Sequence, residues 1–165
     1  MKEAVVQLRE VLADLMSQFE RLLQRLEEER QFIRARQVEE MGQSSVAVTE
    51  ILEKIRQVDR QRQELTAKMA RQLKMKAGEI TLATLDRELG SNTGLTEDRQ
   101  RLLTLITEAD RSNRENQAIL KGVMVATEVV IRAMGGQGQP ELSYNRLGSK
   151  KNVVGNINNL FSKQL

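Results

Sequence analysis

Apolar residues return along this chain in alternating strides of four and three, the spacing that lays one helix lengthwise on another. The first run is Val5, Leu8, Leu12, Leu15, Phe19, Leu22 and Leu26, weakening through Glu29, Ile33 and Arg36. Nothing inside it breaks a helix, so a first helix is predicted from about residue 2 to about residue 41. Gly42-Gln43-Ser44-Ser45 is the first break, with Gly42 suited to closing a helix and Ser44 or Ser45 to capping the next. So short a connection favours an antiparallel hairpin. A second helix over about 45–77 carries Val48, Ile51, Ile55, Val58, Arg62, Leu65 and Met69 on a poorer seam. Thr81 caps a short helix of about 81–89, with Leu82, Leu85 and Leu89 on one face. Thr96 caps a third long helix, about 96–134, with Glu97 and Asp98 in the first turn where carboxylates suit the helix dipole.

The seam of that last helix runs Leu102, Ile106, Ala109, Asn113, Asn116, Leu120, Val123, Thr127, Val130 and Met134. Two consecutive seam positions are asparagine. A buried amide needs a partner and fixes register at a cost in stability, whereas an amide at the seam's edge is half solvated. Both readings of Asn113 and Asn116 stand on sequence alone. Beyond them, Ile119, Val123, Val125, Val129, Val130 and Ile131 supply more apolar positions than one seam can use. The excess is either a wider buried face or a groove for an amphipathic partner helix.

Composition changes at Gly135. Gly135-Gly136-Gln137-Gly138-Gln139-Pro140 reads as a flexible linker, and residues 143–151 are polar and basic. In the last stretch Val153, Ile157, Leu160 and Phe161 fall on one helical stripe, predicting a weak amphipathic helix over about 152–163. Gly155 and four asparagines leave it too weak to stand alone. It is expected to fold on a partner, the alternative being a tail that docks back on its own bundle. The expected fold is therefore all-α. Residues 1–134 form an elongated antiparallel helical hairpin with a third long helix packed lengthwise, a coiled-coil-like three-helix bundle with one short connecting helix. Residues 135–165 form a flexible linker and tail.

The residue inventory narrows the chemistry. The chain has no cysteine and no histidine, so disulfides, thiolate metal sites, the commonest general base and the commonest metal ligand are all missing. Gly135-Gly136-Gln137-Gly138 follows no strand and is not a dinucleotide fingerprint. A protein that is not an enzyme, with no cofactor and no metal, is expected. No signal peptide or apolar run of roughly 20 residues is visible, so a cytoplasmic location is expected. The net charge is only +3, and Arg146, Lys150, Lys151 and Lys163 of the tail are too few for more than weak attraction to phosphates or anionic lipid. Nucleic acid is not an expected partner.

The order of elements resembles the FlgN family of flagellar type III export chaperones. The resemblance rests on a leucine-rich first helix, a charged second helix and the short segment TLATLDREL, here Leu82 to Leu89. It continues in the stretch NRENQAIL with Asn113 and Asn116, and in Tyr144-Asn145-Arg146-Leu147-Gly148. The resemblance implies a cytoplasmic chaperone that consumes no ATP. It would bind the hook–filament junction proteins, keep their terminal helices unassembled and deliver them to the membrane export gate. Partner-binding residues expected on this reading are Ile119, Val123, Val130 and Ile131 on the last helix and Tyr144, Val153, Ile157, Leu160 and Phe161 beyond it. The rivals are a coiled-coil scaffold that forms homo-oligomers through its seams, and a nucleic-acid or membrane-surface binder using the basic tail.

Overall fold

A computed structural model describes residues 2–75, 80–90 and 92–134. Four helices follow in order: α1 (Lys2–Ala35), α2 (Val38–Gln72), α3 (Leu82–Glu88) and α4 (Leu95–Ala133), and no strand occurs among the described residues. At 1.5 Å per residue the three long helices span roughly 50–60 Å. The expected tail of residues 135–165 lies outside the described residues.

α1 lies between the other two long helices. Its backbone packs closely against both α2 and α4, whereas α2 and α4 scarcely meet. The four-three stride explains how one helix serves both. Leu8, Leu12, Leu15, Phe19, Leu22, Leu26, Glu29 and Ile33 are all buried along it, and Met16 and Gln18 widen the buried face. α2 returns antiparallel and contributes Val48, Ile51, Ile55 and Val58; α4 runs parallel to α1 and contributes Leu102, Ile106 and Ala109. Leu82 and Leu85 of α3 close the same core near the start of α4. Three cross-links give the parallel register: Arg9 to Asp98 at 2.7 Å, Arg101 to Glu20 at 3.0 Å and Arg30 to Asn116 at 3.0 Å.

The hairpin turn is not at Gly42. α1 ends at Ala35, Arg36 takes a left-handed φ of 57°, and α2 is already helical from Val38, so the helix bounds of 2–41 and 45–77 are corrected to 2–35 and 38–72. The Gln37 N–H donates to the Phe32 carbonyl at 3.0 Å, closing α1, and the Met41 N–H donates to Gln37 at 3.0 Å, opening α2. The earlier turn lets Met41 and Ser44 extend the buried face that Val48 continues. A helical glycine costs about 1 kcal/mol relative to alanine, less than the burial of a methionine side chain returns. A left-handed arginine adds a further 1–2 kcal/mol, roughly. α2 ends at Gln72, with Leu73 and a left-handed Lys74 (φ 56°) beyond it. On its buried side Arg62 is 1% exposed, its Nε donating to Asp59 at 2.7 Å, and Asp59 also accepts from Gln63 at 2.7 Å.

Thr81 caps α3 as expected, in a reciprocal box with Thr84. The start of α4 departs from expectation. The capping position is Gly94 (φ 78°), and Thr96 lies inside the first turn. Its hydroxyl donates instead to Asp86 of α3, which also accepts from the Thr93 hydroxyl and from the Thr93 N–H at 3.2 Å. Asp86 is buried, and these donors hold its pKa below the ordinary carboxylate value. A carboxylate from another helix thus does the work of a local cap and faces the positive end of α4. The Arg9 guanidinium closes over Gly94, where an added Cβ would lie 3.0 Å from its carbon, and donates to Asp98.

Two predictions follow from these local geometries. Beyond its chain neighbours and the backbone of its own helix, no atom lies within 4 Å of a Cβ added at Gly42, so Gly42→Ala should stabilise the fold by about 0.5–1 kcal/mol in chemical denaturation. A loss would place the turn back at residue 42. For Asp86, the folded pKa lies below an unfolded value of about 4. Its contribution is therefore complete above that unfolded value and is lost as pH falls through the folded one. Asp86→Asn should flatten the acid limb of a stability–pH profile; an unchanged limb would mean the carboxylate is not coupled to folding.

Candidate partner-binding face of the last helix

Asn116 marks a change in α4. The residue is 2% exposed and all of its polar capacity points into α1. Its amide Nδ2 donates to the Leu26 carbonyl at 2.7 Å and to Glu29 Oε2 at 3.1 Å, and its Oδ1 accepts from Arg30 Nε at 3.0 Å. Arg30 reaches further, to the Ser112 hydroxyl at 3.0 Å and to the carboxylates of Glu115 at 2.8 Å and Glu27 at 3.3 Å. Asn113, one turn earlier, is 5% exposed. The amides therefore do not lie on a half-solvated edge. Glu29, which occupies an α1 seam position as Asn116 occupies one on α4, is buried with it. That pairing of polar residues at two seam positions was visible in the sequence and was the signal that could have joined them.

Upstream of this cluster α4 is core; downstream nothing in α4 is buried. The stride continues through Leu120, Val123 and Thr127, which are half-buried, to Val130 and Met134, which are 56% and 82% exposed. Register explains the loss of cover. With Asn116 beside Leu26–Arg30, the end of α1 comes level with about residue 122, and the remaining turns of α4 pass the hairpin turn with no other helix alongside among the described residues. This overhang is roughly 15 Å long. Its polar residues Gln117, Lys121, Glu128 and Arg132 recur at spacings of four, seven and four and so share one side. Ile119, Val123, Val130 and Met134 occupy the opposite side and Leu120 broadens it, whereas Met124 falls beside Gln117 and Ile131 lies between the two sides.

Of the partner-binding residues expected from sequence, Ile119 and Val123 are half-buried and Val130 is exposed on this one face, whereas the exposed Ile131 lies about a quarter-turn round the helix from it. Val125 and Val129, 53% and 60% exposed, lie outside it, Val125 beside Arg132 on the polar side. Tyr144, Val153, Ile157, Leu160 and Phe161 lie outside the described residues. Sequence reasoning did not single out Val38 and Val46, which are 71% and 61% exposed near the hairpin turn. Among the described residues, seven of the eight large exposed apolar side chains thus gather at this end of the molecule; Val6 is the exception. Concentrated exposure of that kind marks an interaction surface. Among the described residues there is no cluster of carboxylates able to hold a metal ion, and no helix long and apolar enough to cross a membrane.

The core seam of this α-helical bundle thus runs on into a face that is not buried. The chain matches the family model of the FlgN protein over residues 1–152, and it belongs to the FlgN family of flagellar export chaperones. No curated protein and no solved structure matches it.

Because the partners of Asn116 are met, the amide is expected to add stability rather than cost it. Asn116→Leu removes three hydrogen bonds and leaves the buried Glu29 carboxylate short of a donor. It should lower unfolding free energy by about 2–3 kcal/mol. A variant as stable as the parent would mean the network contributes nothing to the fold.

Proposed function

We propose that this protein is a cytoplasmic, non-catalytic chaperone of the flagellar type III export system. It binds an amphipathic terminal helix of a hook–filament junction protein along the outer half of α4, holds that helix unassembled, and delivers it to the export gate. The supporting observation is the continuation of the four-three seam from a buried stretch ending at Asn116 into an uncovered one ending at Met134. A helix from another chain laid there would extend the bundle by the geometry that already packs α4 on α1. It would bury side chains worth about 1.5–3 kcal/mol each. The reading of the chain as non-enzymatic rests on an inventory without histidine or cysteine.

Substituting Val123→Asp together with Val130→Asp places two charges in the proposed contact. Titrated calorimetrically against a purified junction protein, the variant should bind at least tenfold more weakly than the parent, at about 1.4 kcal/mol per decade. Its melting temperature should change little, because neither side chain is in the core. Equal affinity would remove the outer half of α4 from substrate binding.

A further inference from the structure

The open face of α4 ends at Met134, where the chain continues into Gly135-Gly136-Gln137-Gly138 and, eighteen residues on, the stripe of Val153, Ile157, Leu160 and Phe161. We propose that this stripe is the resident occupant of the α4 face in the unloaded protein, so that a substrate helix must displace the chain's own tail. The inference rests on the reading of that face as the substrate site and adds its regulation.

Reach is the first argument. A Gly-containing flexible linker of this length has a root-mean-square span of about 23 Å. The face from Ile119 to Met134 is about 22 Å long. The tether starts at Met134, so a span of that size reaches every point of the face and holds the stripe at an effective concentration on the order of millimolar, which no second copy reaches at ordinary protein concentration. Chemistry is the second argument. The tail stripe repeats at four, seven and eight residues, the complement of an open seam stepping Val123, Thr127, Val130 and Met134. It is too short and too rich in asparagine to hold a helix without such a surface. The third argument comes from where the two halves fall: the α4 face lies within the family match, and the stripe lies beyond residue 152 where that match stops. A segment outside the shared pattern is suited to regulating a shared site rather than to forming it.

The full chain carries no cysteine, so two introduced ones report cleanly. Nitroxides on Lys121→Cys and Lys163→Cys should give a narrow distance distribution that broadens when Leu160→Asp and Phe161→Asp are added. In parallel, those two tail substitutions, made without the cysteines, should raise binding of the apolar-surface dye ANS several-fold. Adding Val123→Asp and Val130→Asp should cancel the rise. A parent that already binds dye through Val123 and Val130, unaltered by the tail substitutions, overturns the self-occlusion and leaves the substrate face standing. Dye binding that is insensitive to Val123→Asp and Val130→Asp in every background overturns both. A rise that appears on dilution of the parent, with a dimer in sedimentation, gives the face to a second copy and also overturns the proposal.

Discussion

The contact between Asn116 and α1 sets where everything else on α4 falls. One amide satisfies a helix carbonyl, a buried carboxylate and a guanidinium, and a slide of α4 by a turn separates it from all three. An apolar seam alone would tolerate such a slip, because Leu102, Ile106 and Ala109 offer similar surfaces at similar spacings. Buried polar groups do not, since an unmet one costs about 1–3 kcal/mol. Parallel register then follows along the whole helix, from Arg9 with Asp98 to Arg30 with Glu115. With register fixed, so is the length of α4 that runs past the end of α1.

The proposed function rests on that overhang. A helix in a bundle is ordinarily covered over its apolar face, and the first half of α4 is. The second half keeps the same periodicity with no buried residue, and no other helix among the described residues lies along it. Natural sequences retain such a face where another chain completes it. The chain belongs to a family of flagellar export chaperones, and the function proposed above gives this face to an export substrate.

Much of this was legible in the sequence. The strides through Leu8–Ile33 and Leu102–Asn116 gave the helices, their lengthwise packing and the surplus of apolar positions past Asn116, because helix periodicity is a local property. The misreadings came where a local signal was outweighed by a distant contact. Gly42 and the serines after it look like a turn, yet burial of Met41 and Ser44 against the hairpin carries the helix through them. Thr96 looks like a cap, yet its hydroxyl is taken by Asp86 from a different helix. Asn113 and Asn116 were ambiguous because solvation depends on what lies opposite, and Glu29 and Arg30 are more than eighty residues away.

Amide hydrogen exchange along α4, with and without a purified junction protein, tests the central claim most directly. The account predicts strong protection from Leu102 to Asn116 in both conditions, and a gain on adding the partner that is confined to residues 117–133. A gain that falls on the outer surface of the α1–α2 hairpin, with α4 unchanged, would contradict it.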